Sequence, residues 1–205
     1  MKNPIPEQYE GKQLDLNAGR DFSDEQAAKN FYLLVKRRLL RAFEWYDIAE
    51  IPAATFTLSD PHGAEILREM RVGDVIRIDI PGPGSPKGDG YDWVKVDKID
   101  EDHEEHGDLF SITLRPTSNP TETDEEVAHF FTNLATSTLL VRRAGTHVEV
   151  EYHGRNELIN DQSESITDQF RNAVVGFAAK MGFSFSQWKS LIEGMIKDDK
   201  NKLNS

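Results

Sequence analysis

The sequence predicts an α+β protein: a small, mostly antiparallel β-barrel or bent sheet packed against N-terminal and C-terminal helices. Three observations predict it. Apolar residues alternate with polar ones in several short stretches, as in Ile76, Ile78 and Ile80, Phe110, Ile112 and Leu114, and Val148, Val150 and Tyr152; that period of two marks half-buried strands. The stretches follow one another through connections too short for crossover helices, so neighbours pair antiparallel. Apolar stripes at helical spacing stand at both ends of the chain, Phe31, Leu34, Val35, Leu39 and Ala42 in one and Trp188, Leu191, Ile192 and Met195 in the other.

Taken in order, residues 1–20 are polar, carry Pro4 and Pro6, and read as a loosely ordered arm. Residues 21–198 read as one domain: a helix over 24–46, a β core over 51–153 and a helix pair over 163–198. Ser23 with Gln26 has capping-box spacing at the first helix start. Lys36, Arg37, Arg38 and Arg41 form a basic cluster on that helix, suited to a solvated face or to an acidic segment of the same chain. A strand is expected over 51–58, then a short helix to Met70 with Pro61 in its first turn.

The best-patterned stretch is the hairpin over 72–100. Its two strands flank a loop over 81–90 built from Pro, Gly and small polar residues, shaped by Pro81, Pro83 and Pro86 and by four glycines. The loop lacks the Gly-Lys-Ser/Thr ending and the following helix of a phosphate-binding loop. After it come an acidic connection over 100–108, a strand over 109–115, a short helix over 124–131 and a second hairpin over 136–152. Residues 153–161 are expected to leave the sheet. Helices over about 165–181 and from Ser184 onward finish the domain, and 199–205 is a polar tail.

Composition narrows the functions. A chain of 205 residues without cysteine has no disulfide framework, thiolate metal site or cysteine nucleophile. No apolar run approaches the roughly 20 residues of a membrane span, and the first residues do not resemble a signal peptide, so a cytoplasmic location is expected. Of the net charge of -12, nine units fall between Asp97 and Glu126, where eleven acidic residues face only Lys98 and Arg115. Such a surface repels nucleic acid and suits solubility or a basic partner.

Three groups of residues are candidates for function. The 81–90 loop with Tyr91, Lys87, Asp89 and above all Trp93 would present a contact surface to a protein partner or to a second copy. Arg115 and Asn119 after one strand, and His153, Arg155 and Glu157 after another, would form a polar site if both strand ends meet. There arginine can clamp an anion and histidine can move a proton. His103 and His106, three apart in the acidic connection, are the weakest group, a metal site without visible distant ligands. The C-terminal pair also matches the apolar, small and glycine positions of a helix-turn-helix, although only Lys189 is basic on the would-be reading segment. The leading function is therefore a non-enzymatic interaction or assembly protein using the 81–90 loop. A small-ligand binder or enzyme at the strand ends is the alternative, and a DNA-binding regulator stands third. No cofactor is legible in the sequence.

Overall fold

The computed structural model describes residues 3–49, 54–79, 89–122, 126–129, 131–158 and 185–198. Strand β1 (Lys12–Asp21) leads into helix α1 (Glu25–Leu40), a 3-10 turn (Ala42–Glu44) and a short helix α2 (Trp45–Ile48). Strands β2 (Thr55–Ser59), β3 (Val75–Asp79), β4 (Asp92–Glu104), β5 (Gly107–Pro116), β6 (Thr136–Ala144) and β7 (His147–Glu157) follow. Residues 185–195 form helix α3. The strands make one antiparallel sheet in the order β1-β7-β6-β5-β4-β3-β2. The chain is α+β, as its patterning predicts, and the sheet is open rather than closed into a barrel.

The sheet bends around α3. Trp188 of α3 stacks on Tyr152 of β7 at 4.6 Å and meets Phe56 of β2 at 6.2 Å. Those two strands are five steps apart in the sheet, about 24 Å if it were flat. Two rings touching the same indole cannot be that far apart, so the sheet curls to wrap the helix. Inward residues of all the strands, from Leu14 and Leu16 of β1 to Leu58 of β2, join one core with Tyr32, Val35 and Leu39 of α1 and Leu191, Ile192 and Met195 of α3. No helix among the described residues is long and apolar enough to cross a membrane.

Several sequence expectations change. Lys12–Asp21 is an edge strand on β7, not a loose arm, and the residues before it are tied to Asn156, which accepts from the Tyr9 N–H at 2.7 Å. The first helix is capped by Asp24, whose carboxylate accepts from the Ala27 N–H at 2.8 Å, not by Ser23. It breaks at Arg41 instead of running to Tyr46. Asp60 folds the next segment back by accepting from the His62 and Ala64 N–H groups, and that local turn replaces the expected helix to Met70. The acidic connection is two paired strand ends joined at Glu105–His106. Residues 126–129 and 131 are not helical, and β7 continues through 153–157 instead of leaving the sheet. The expected hairpin over 72–100 has its strands paired as β3 and β4, while the loop over 81–88 and the first C-terminal helix lie outside the described residues.

Three of the four side chains in the basic cluster, Lys36, Arg38 and Arg41, are engaged within the molecule, and Arg37 is exposed. Arg38 is buried and donates to the carbonyls of Met195 and Lys197, both at 2.7 Å, closing the end of α3. Lys36 reaches Glu101 of the acidic β4 segment, and Arg41 pairs with Glu44. The Asp24 cap makes a simple check: Asp24→Ala is expected to lower the midpoint of urea denaturation, and an unchanged midpoint would show that the cap contributes nothing.

Candidate functional site

The polar residues at the end of β7 separate onto two faces of the sheet. Residues 153, 155 and 157 would share one face at a period of two. Asn156 adopts a left-handed backbone, φ 55°, and the register between β1 and β7 shifts at the same place. The extra turn sends Glu157 to the inner face. Gly154 supplies the space: a Cβ there would lie 2.3 Å from Glu157 Oε1 and 3.3 Å from the Tyr152 hydroxyl. The Glu157 carboxyl therefore sits over a bare backbone, beside Tyr152 and close to the core.

On this inner face Tyr152 Oη and Ser137 Oγ are 3.0 Å apart, and the Tyr152 ring stacks under Trp188. Glu157 is buried, and among the described residues no hydrogen bond to its carboxylate is found. Burial pushes its pKa up to about 7, against the opposing pull of Lys12 and Arg155. Burial also pushes the Tyr152 phenol up, so the hydroxyl stays protonated. The result is a half-ionised acid and a neutral phenol beside an aromatic wall.

The outer face carries a different arrangement. His153 Nδ1 meets Asp15 at 2.5 Å and Nε2 meets Glu151 at 2.8 Å, while Arg155 pairs with Asp15 at 2.7 Å and Arg142 with Glu151 at 3.4 Å. Burial lowers the His153 pKa, but its hydrogen bonds to the two carboxylates outweigh burial and the net shift is upward. The hydrogen bond from His153 leads the causes that hold the Glu151 carboxyl low. With both ring nitrogens engaged and the charged form favoured, His153 ties β1 to β7 and is not poised to accept a proton from a substrate.

The remaining candidates do not join either group. Arg115 donates to Asp97 and to the Asn133 carbonyl, both at 3.0 Å. It lies two strands from Arg155, about 10 Å away across β6, and each guanidinium already has its own carboxylate. Asn119 is buried and closes its own turn, accepting from the Thr121 N–H and hydroxyl and donating to Glu122. Trp93 is buried on the outer face with Val75 and Ala128, and its backbone N–H donates to the Ala128 carbonyl at 2.8 Å. It is a packing residue, not an exposed contact anchor, because the segment after β5 folds over it. Tyr91 is half-buried beneath Arg77, Asp89 is exposed, and Lys87 lies outside the described residues.

His103 pairs with Asp108 at 2.7 Å and with Glu101 at 3.1 Å, and His106 turns toward Glu25. No metal-holding group of three such side chains is found among the described residues. In α3, Gln187, Trp188, Ser190 and Leu191 are buried in the core, and of the expected reading segment Phe185, Ser186 and Lys189 are exposed. Sequence reasoning picked Glu157 but missed Tyr152, Ser137 and Trp188 as its neighbours. Only Tyr152 carried a signal, as the one hydroxyl-bearing side chain on the inward face of its strand.

No family model matches the chain, and a search of curated proteins finds no match. Among solved structures the chain is similar to Ara h 8.0201, at 14% identity over 88% of this chain and 99% of that one, TM-score 0.34. It is also similar to norcoclaurine synthase from Thalictrum flavum in complex with dopamine and hydroxybenzaldehyde, at 14% identity over 89% and 98%, TM-score 0.34. Protein Ms6760 from Mycobacterium smegmatis matches at 14% identity over 88% and 89%, TM-score 0.35. Scores this low do not establish a shared fold, and the architecture rests on the chain's own strand pairing.

Proposed function

We propose that this chain is a small-molecule-binding protein whose polar anchor is the Glu157 carboxyl, set against the aromatic wall of Tyr152 and Trp188. The supporting observation is Glu157 itself. A buried carboxyl with a pKa near 7 and no hydrogen bond from the described residues is costly to keep, and a ligand that hydrogen-bonds to it removes that cost. The half-ionised acid can accept from an amine or donate to a carbonyl, and the Tyr152–Ser137 hydroxyl pair adds a second polar contact. The proposal is one of binding, and it includes no covalent step.

Benzylamine, benzamide and benzoate make suitable probes, followed by tryptophan fluorescence at pH 8. The amine is expected to bind best and benzoate least, and Glu157→Gln is expected to abolish the preference for the amine. Equal binding of benzylamine to wild type and variant would overturn the proposal. The same group gives a pH signature without any ligand. Its folded pKa lies above the ordinary 4.5, so its neutral form is the one the fold favours. Stability is fully present below pH 4.5 and falls as pH rises toward about 7. The loss is on the order of 2–3 kcal/mol, and Glu157→Gln is expected to flatten it.

A further inference from the structure

A groove of about 610 Å³ opens between α1, the extended segment before β3 and the inner face of β4 and β5. It lies away from the Glu157 site, and its size is that of small-molecule sites. Leu40, Met70, Ile99 and Phe110 make an apolar floor, and the Met70 N–H donates to the Leu40 carbonyl at 2.8 Å, tying the two walls together. Val72 on the rim is largely exposed. Five charged side chains line the groove: Lys36, Arg68, Arg71, Glu69 and Glu101.

Three of the five are already neutralised. Lys36 pairs with Glu101 at 2.5 Å and lies 5.1 Å over the Phe110 ring. Glu101 is braced in turn by His103, which leans on the buried Asp108–Arg143 pair. Arg68 grips Asp74 through two hydrogen bonds, at 2.6 and 2.9 Å, and Asp74 also accepts from the Arg71 N–H. These pairs fix the walls and leave no net charge. Two charged groups remain, Glu69 and Arg71. Both are exposed, they flank Met70 in an extended segment, and neither side chain has an ion pair among the described residues. One unpaired anion and one unpaired cation thus stand two residues apart at the mouth of an apolar trough.

We infer that this groove is a binding site for a zwitterion with an apolar body, whose ammonium group meets Glu69, whose anionic oxygens meet Arg71 and whose apolar part lies on Phe110 and Ile99. A lipid with a zwitterionic headgroup and a free apolar amino acid share that chemistry. A simple anion gains from Arg71 but is repelled by Glu69, and a simple cation suffers the reverse. Arginine suits the anionic end because its planar fork holds two oxygens at once.

The test is isothermal titration calorimetry on the full chain with four probes. They are dodecylphosphocholine below its micelle concentration, decanoate, decyltrimethylammonium and phenylalanine. Dodecylphosphocholine is expected to bind more tightly than either singly charged amphiphile. Binding of phenylalanine as tight as that of dodecylphosphocholine supports the same site with an amino acid as the source. Arg71→Glu is expected to weaken dodecylphosphocholine about tenfold and to shift preference toward decyltrimethylammonium. Glu69→Lys should shift it toward decanoate. Both positions are exposed, so thermal unfolding of both variants should match wild type. Glu157→Gln should leave the affinity for dodecylphosphocholine unchanged, which separates this site from the other. A zwitterion that binds no better than the singly charged probes, or charge reversals that leave the ranking unchanged, overturns the inference.

Discussion

Arg143→Ala is expected to lower folding stability by about 3–5 kcal/mol, the usual cost of removing one partner from a buried ion pair. The Arg143 and Asp108 side chains are only 4% and 6% exposed, and Nε meets Oδ2 at 2.5 Å. Arg143 also donates to the Gly145 carbonyl at 3.2 Å. Removing the guanidinium leaves a carboxylate sealed between α1 and the sheet with only His103 to answer it. Burial raises the Asp108 pKa, but the hydrogen bonds from His103 and Arg143 outweigh it and hold the carboxyl low. Its contribution is present at neutral pH and is lost as pH falls through that lowered value. The variant should therefore unfold at lower urea at pH 7, with the gap from wild type closing in acid. Replacing both partners, as Arg143→Met with Asp108→Leu, is expected to cost less than Arg143→Ala alone, since no orphaned charge remains. A loss below 1 kcal/mol in the single variant would show that Asp108 finds water or another donor without Arg143.

The strands that carry the core were legible because their apolar alternation is strong. Ile76 and Ile78, Val94 and Val96, and Val148, Val150 and Tyr152 all face inward as read. Strand β1 was missed because Leu14, Leu16 and Ala18 are only partly buried at the sheet edge, so KQLDLNAGRD looks like polar coil. The far half of β4 was missed for a related reason. Its Glu101 finds its partner, Lys36, far away in sequence, and no local pattern shows that pairing. Trp93 depends on Ala128, thirty-five residues on, and no local pattern announces that cover. The polar cluster at 153–157 could be picked from composition. Its division between two faces could not, because it turns on a single left-handed residue, Asn156, that breaks the period of two.

Helix α3 depends on Gly194, and Gly194→Ala sets two effects of opposite sign against each other. Alanine is favoured over glycine inside a helix by about 1 kcal/mol, so propensity alone predicts a more stable protein. Packing predicts the reverse. A Cβ at 194 would stand 1.9 Å from the Ile48 carbonyl oxygen and 2.8 Å from its carbon, with the Ala49 Cα at 3.3 Å. These are backbone atoms at the end of α2 and cannot rotate aside as a flexible side chain would. Relief requires α3 to move outward by more than 1 Å, on the scale of the contact distances in a close-packed interior. That shift would pull at Gln187, whose Oε1 accepts from the Ala54 N–H at 2.9 Å, and would open the stack of Trp188 on Tyr152. Overpacking of this kind costs typically 1–3 kcal/mol and more where backbone must move, so the expected net loss is about 2–4 kcal/mol. Chemical denaturation followed by tryptophan fluorescence reads both the midpoint and the Trp188 environment. A variant as stable as wild type would mean that α2 and α3 approach less closely than this geometry has it, and the aromatic wall proposed beside Glu157 would lose the contact that holds it in place.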